Sequence, residues 1–168
     1  MFDTLLFVVA AVNLGFMAAW LTIGALENLF HPFLNETYTA QVMDMELMRE
    51  EYPEAYVHVA HRRLTNPTVL KLVFRAIVAW ELAAMLGLWI ATGVCLAAAF
   101  GVGSPTTALE IGLVASTLFL ATWAGFLVAG NYFCYWFGHE GGQNTHFQML
   151  QWGLLVQVLL VAMYMYLT

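Results

Sequence analysis

Five histidines and a glutamate within an apolar run are the residues of this sequence best suited by type and spacing to chemistry. Four of the histidines lie in two short polar stretches, at His58, His61, His139 and His146. His58 and His61 are three residues apart, so their rings share a face if this stretch is helical. Because imidazoles from separate segments are common ligands of zinc and copper, these four histidines are candidate metal ligands.

A simpler interpretation of the second stretch needs no metal. The sequence 139-HEGGQNTH-146 has two adjacent glycines, polar side chains that can cap helix ends, and long apolar runs on either side. These features are typical of a turn at a membrane surface, with Asn144 as a candidate cap for the following helix. No ligand motif such as HExxH is present. Both interpretations remain open at the level of sequence.

Glu81 is the second candidate for chemistry. It lies about ten residues beyond Lys71 in an apolar run, which corresponds to about 15 Å along a helix. A charged and isolated carboxylate at that depth in a membrane costs several kcal/mol, so it must be protonated, paired or turned towards a wet interior. Asn13 and Gln157, near the middle of their own apolar runs, are its candidate partners. Glu81 therefore has either a role in proton handling or ligand binding, or a structural hydrogen bond.

The elements that position these residues follow from hydropathy. The chain of 168 residues is 62% hydrophobic and 10% charged, whereas soluble domains average about 45–50% apolar and about 25% charged residues. Each of four apolar runs exceeds the ~20 residues that a helix needs to cross a bilayer. We therefore predict one membrane domain over residues 1–168, with spans at about 4–26, 72–100, 109–137 and 147–167.

The polar residues are concentrated in one segment, 27–71, between the first two spans. Apolar residues within 36–51 recur at helical spacing, which predicts an amphipathic helix at the membrane interface, followed by a second short helix over 54–64. The predicted fold class is thus all-α: an integral membrane four-helix bundle with an amphipathic interfacial helical loop between helices 1 and 2. Four spans place the first and third connections on the same side of the membrane.

Small residues at every fourth position predict close helix contacts in lipid. They form three ridges, at 11, 15 and 19, at 83, 87 and 91, and at 121, 125 and 129. The fourth span has no such ridge. We interpret it as a span that packs loosely or meets another subunit.

Several short motifs have a familiar order along the chain. They are Asn28, 42-VMDM-45, 62-RRLTNP-67, Glu81, 123-WAGF-126, 129-AGNYFCYW-136 and 141-GGQN-144. In these motifs the chain resembles the bacterial predicted small integral membrane proteins grouped as a domain of unknown function. The resemblance covers nearly the whole chain and implies a four-helix membrane protein. It marks as interface or loop candidates Asn28, Met43, Asp44, Asn131, Gln143 and Asn144.

Two departures from the family pattern bear on function. Asn131 stands where the family has a glutamate, and the four candidate metal ligands lie outside the pattern. The resemblance implies a location and a fold, but no reaction.

Function follows mainly by exclusion. Only five Lys or Arg residues and a net charge of −6 argue against a nucleic-acid partner. The leading hypothesis is a non-catalytic accessory or stabilising subunit of a larger complex in the bacterial inner (cytoplasmic) membrane. Its expected partners are the lipid bilayer, with bound lipid, and other membrane subunits. One alternative is a metal- or quinone-linked redox subunit that uses the histidines with copper or zinc. Another is a small proton-coupled carrier that uses Glu81.

Overall fold

The computed structural model describes residues 2–168, and these residues form an all-helical bundle. The seven α-helices among them are α1 Phe2–Phe30, α2 Phe33–Met43, α3 Glu46–Glu51, α4 Pro53–Val59, α5 Pro67–Ala99, α6 Pro105–Tyr132 and α7 Glu140–Leu167. A 3₁₀ turn, Ala60–Arg62, follows α4. Four of the helices, α1, α5, α6 and α7, are long and apolar enough to cross a membrane. The predicted fold class is therefore confirmed.

Two of the long helices, α5 and α6, begin a few residues before their apolar runs, at polar residues that cap them. Asn66 accepts hydrogen bonds from the backbone amides of Thr68 and Val69, and Pro67 occupies the first turn of α5. Ser104 caps α6 in the same way through the amide of Thr107. With 33 residues, α5 extends for about 50 Å, more than the ~30 Å hydrocarbon core. Its ends therefore project into the interfacial layers.

Neighbouring long helices are antiparallel and pack in chain order. α1 packs on α5, α5 on α6 and α6 on α7, while α7 makes only a smaller contact with α1. Trp89 of α5 donates to the hydroxyl of Thr22 in α1 at 3.0 Å. Fully buried side chains from all four helices fill the centre, among them Leu14, Leu88, Phe119 and Leu160. The bundle thus has one continuous apolar core.

Two of the three predicted ridges pack against a neighbouring helix at their central glycine, but the third ridge does not. A side chain on Gly15 would meet Thr92 at 3.4 Å, and one on Gly87 would meet Leu118 and Ala115. Gly125 has open space around it, so the ridge at 121, 125 and 129 does not pack against a neighbour. α6 uses a different face, because its bulky aromatic residues are on the inner side.

The polar segment between α1 and α5 is more broken than the sequence predicted. The single helix expected over 36–51 is divided at Asp44 and Met45, because Met45 adopts a left-handed conformation with φ of 53°. That turn places the buried side chain of Met45 against Met48 and Cys134. Asp44 forms ion pairs with Arg49 and with Arg63. The free energy gained by burying the Met45 side chain therefore exceeds the cost of interrupting the helix at this point.

The first and third connections meet at one end of the bundle, as predicted. Arg62 donates to the backbone carbonyl of Tyr132 at 3.3 Å, and its guanidinium lies over the Tyr132 ring. Gly138, with φ of +84°, lies so close to Leu47 that a Cβ at that glycine would be 2.6 Å from the leucine Cβ. Together the two connections cover this end of the helices.

Candidate functional site: a polar cavity beneath the connections

A cavity of about 280 Å³ lies beneath these connections, where the ends of α1 and α6 meet the inner parts of α5 and α7. Residues from α2 and from the turn after α6 complete its wall. Most of the lining is aromatic or aliphatic. Its polar members are Asn28, Asn35, Tyr38, Thr39, Glu81, Trp123, Tyr135 and His146.

A chain of side-chain hydrogen bonds runs along one wall. Asn35 of α2 donates to the side-chain oxygen of Asn28 at 2.6 Å, and Asn28 donates to Oε2 of Glu81 at 2.8 Å. Glu81 is 5% exposed and Asn28 is 8% exposed. Glu81 therefore lies inside the bundle with a hydrogen-bond partner, which removes part of the cost of a buried carboxyl.

The partner of Glu81 differs from both residues that the sequence suggested. Asn13 donates to the backbone carbonyl of Val9 at 2.9 Å, and Gln157 donates to the hydroxyl of Thr117 at 2.8 Å. The antiparallel register of α1 and α5 explains the difference. It sets the end of α1 level with Glu81, whereas Asn13 lies about 22 Å further along that helix.

Three further polar atoms at the cavity have no hydrogen-bond partner among the described residues. They are Trp123 Nε1, Tyr135 Oη and His146 Nδ1, and all three are buried. Buried polar groups in folded proteins nearly always have a partner, and an unsatisfied one costs about 1–3 kcal/mol. The three side chains that carry these atoms line one cavity beside a carboxyl group, an arrangement typical of a ligand site.

The turn after α6 positions the tyrosine. Cys134 adopts a left-handed φ of 55°, and the backbone amide of Tyr135 then bonds back to the carbonyl of Gly130 at 2.9 Å. A Cβ at Gly130 would lie 2.7 Å from the Tyr135 ring, so only glycine lets the ring lie this close to α6. The ring stacks on His146 at 6.0 Å between centroids. Trp123 and Phe126 contact the same imidazole.

The four candidate metal ligands are not gathered at one point. His58 and His61 are exposed on the first connection, His139 is buried where its ring meets the edge of Tyr38, and His146 lines the cavity. Within residues 2–168, no group of three or more His, Cys, Asp or Glu side chains is arranged to hold a metal ion. The metal site stays a prediction from sequence, which elemental analysis of the purified protein can test.

The interface and loop candidates fall in three places. Asn28 and Met43 line the cavity. Asp44 holds its two arginines, and Asn131 is exposed in the last turn of α6, where its carbonyl accepts from the amide of Cys134. Gln143 and Asn144 belong to helix α7 rather than to a loop, because that helix begins at Glu140. Asn144 therefore cannot cap it.

Sequence reasoning missed Asn35, Trp123 and Tyr135 as members of a site. Trp123 and Tyr135 lie within the motifs that resemble the family, and this resemblance is the feature of the sequence that could have identified them as site residues. Asn35 follows Asn28 by seven residues, but a break at Pro32 separates the two helices that carry them. Their meeting depends on how α2 folds back over α1.

Acid should weaken the packing of the connections through His139. Burial lowers the pKa of its imidazole, although the carboxylates of Glu140, Glu46 and Glu51 oppose that shift. The folded state thus holds the neutral form, while the unfolded chain binds a proton near the ordinary pKa of about 6.5. The stability contribution is therefore present above about pH 6.5 and is lost as pH falls below it.

Thermal unfolding in detergent at pH 7.5 and 5.5 checks this sign. We expect wild type to lose more stability in acid than a His139→Phe variant, which keeps a ring against Tyr38. An equal loss in both proteins would show that His139 does not contribute.

Taken together, these features define a small four-span membrane protein with a polar cavity at one end of its bundle. The chain matches the model of the family described as Predicted small integral membrane protein (DUF2165) over residues 6–163, and it belongs to that family. The description states a membrane location and names no activity. No curated protein and no solved structure matches the chain.

Proposed function

We propose that this protein is a non-catalytic binding protein of the bacterial inner membrane, and that it holds a small molecule in the cavity beneath its connections. The observation that supports the proposal most is that several side chains with an unpartnered polar atom line this one cavity. Trp123, Tyr135 and His146 line the same cavity as Glu81, and their Nε1, Oη and Nδ1 atoms have no partner among the described residues. Ligand sites commonly combine an apolar lining with a few convergent polar groups.

The shape of the bundle favours holding a molecule over passing it across the membrane. Beyond the cavity, Leu14 and Leu160 both come within 3.4–3.5 Å of the Cβ position at Gly112. Such packing closes the other half of the bundle with apolar side chains. A proton-coupled carrier that uses Glu81 would need this half to open, so we rank it below a binding role.

Filling the cavity provides the test. Gly24 lines the cavity, and a Cβ there meets nothing within 4 Å, so Gly24→Leu places a side chain in open space. Gly93 also has nothing within 4 Å, but it is an exposed residue that does not line the cavity, so Gly93→Leu is the matched control. Native mass spectrometry of protein extracted from its own membranes would then report bound molecules.

We expect a bound small molecule on wild type and on Gly93→Leu, but not on Gly24→Leu. Thermal unfolding should show that both variants are folded. A molecule that stays bound to Gly24→Leu, or wild type without any bound molecule, would refute the proposal.

A role as accessory subunit is the second candidate, and the flank between α6 and α7 favours it. Gln157 and Thr117 form a hydrogen-bonded pair there that is partly open to the surroundings. Polar side chains inside membranes usually face protein rather than lipid. α7 also leaves Leu155 and Met165 more than two-thirds exposed. Migration as a single chain after mild detergent extraction would count against this candidate.

A further inference from the structure

We propose that the cavity selects a primary ammonium group that has an oxygen acceptor a few atoms away, with Glu81 as the counter-ion. An ethanolamine group has this pattern, either free in solution or as the headgroup of an aminophospholipid. The inference rests on the proposed binding function and specifies its ligand.

Charge is the first argument for an ammonium ligand. Glu81 is the sole Asp or Glu among the described residues that line the cavity, and these lining residues include no Lys or Arg. Its one side-chain partner is the neutral amide of Asn28. An amide donates a hydrogen bond without neutralising a carboxylate. A cationic ligand would supply the missing opposite charge, whereas an anionic ligand would add repulsion.

The unpartnered atoms supply the second argument, because they match both halves of this ligand. Tyr135 Oη and His146 Nδ1 can accept hydrogen bonds from an ammonium group, and a quaternary ammonium would have no N–H to donate. Trp123 Nε1–H is only a donor, so an oxygen on the same ligand would supply its acceptor.

The aromatic wall adds a third argument. Phe74, Phe126 and Phe133 line the cavity together with Trp123 and Tyr135. Ring faces attract ammonium groups, most strongly where the pair is desolvated. A carboxyl group beside several rings therefore offers an organic cation both a counter-ion and ring faces, whereas a neutral ring compound would use the rings alone.

Position within the membrane provides access for such a ligand. Glu81 forms the inner part of the cavity, whereas Asn35, Tyr38 and Thr39 of α2 line its outer part, where the connection lies near the depth of lipid headgroups. The covering segment 27–71 has seven carboxylates against four Lys or Arg residues. This acidic cover raises the local concentration of cations at the cavity.

The experiment compares two sources of the same group. Purified protein in phosphatidylglycerol nanodiscs would be titrated with free ethanolamine, and a second preparation would contain phosphatidylethanolamine or phosphatidylcholine. Ligand-induced stabilisation against heat and native mass spectrometry report binding. Glu81→Gln keeps an acceptor for Asn28 but removes the charge. Glu110→Gln is the control, because Glu110 is an exposed membrane carboxyl outside this cavity.

We expect wild type and Glu110→Gln to bind ethanolamine or phosphatidylethanolamine, and Glu81→Gln to bind it about 10- to 100-fold more weakly, as for loss of one charged hydrogen bond. Tyr135→Phe, which keeps the ring, should also weaken binding. Stabilisation by free ethanolamine would identify a soluble amine as the ligand, and stabilisation by the lipid alone would identify a headgroup.

Equal binding by Glu81→Gln and wild type would overturn the inference, as would phosphatidylcholine binding as tightly as phosphatidylethanolamine. Retention of a neutral molecule that Gly24→Leu excludes would overturn the ammonium assignment but leave the binding function intact. Absence of any cavity ligand from wild type would contradict both the ammonium assignment and the proposed binding function.

Discussion

Replacement of Gly130 by alanine should lower the free energy of unfolding by about 1–3 kcal/mol and abolish ligand binding in the cavity. The added Cβ would lie 2.7 Å from the ring of Tyr135, which is nearly fully buried. The ring cannot simply turn away, because its backbone amide is bonded to the carbonyl of Gly130 itself and its other face stacks on His146. Relief of the clash must therefore displace the cavity wall.

Gly125→Ala is the matched control on the same helix. A Cβ there meets nothing within 4 Å, so alanine should be neutral or stabilise the helix by up to ~1 kcal/mol. Denaturant titration in detergent micelles measures the free energy of unfolding, and native mass spectrometry measures the bound ligand. Equal stability and ligand occupancy in the two variants would show that Tyr135 does not depend on Gly130.

Separation of the Glu81 and Asn28 pair should have the second large effect. Glu81→Leu leaves the buried Asn28 amide without its acceptor, which costs about 1–3 kcal/mol. Asn28→Leu removes the partner of Glu81 and also the acceptor of Asn35, so its cost should be at least as large. Glu81→Gln keeps an acceptor for Asn28 and should change stability little, even though it weakens ligand binding.

A double-mutant cycle distinguishes this pair from two independent residues. Because both polar groups leave together, the variant with leucine at both positions should lose less stability than the sum of the single changes. The difference should amount to about 0.5–3 kcal/mol. Additive losses of unfolding free energy would mean that the hydrogen bond contributes nothing to stability. The burial of a carboxyl group at Glu81 would then need another explanation.

The bundle could be predicted from sequence because few backbone structures are stable in lipid. Backbone groups in hydrocarbon must be paired within their own segment, so each long apolar run has to be a helix. The same argument singles out Glu81, since a carboxyl in such a run needs a specific reason to be there. Hydropathy therefore determines the fold class and points to one residue of the site.

The rest of the site depends on relations between segments that composition does not encode. Hydropathy does not set the register of α1 against α5, so Asn28 could not be preferred to Asn13 as the partner of Glu81. The break at Met45 follows from a contact with Cys134, which is far away in sequence. Tyr135 joins the cavity only because Gly130 accepts its ring. These are tertiary packing events, which local patterns do not predict.

We propose that the cavity beneath the connections holds a ligand through Glu81 and the side chains of Trp123, Tyr135 and His146. A crystal structure of the protein extracted with its native lipids tests this most directly. We expect non-protein density within hydrogen-bonding distance of the Glu81 carboxyl and Tyr135 Oη. A cavity closed by its own side chains, with Trp123, Tyr135 and His146 bonded to other protein groups, would contradict it.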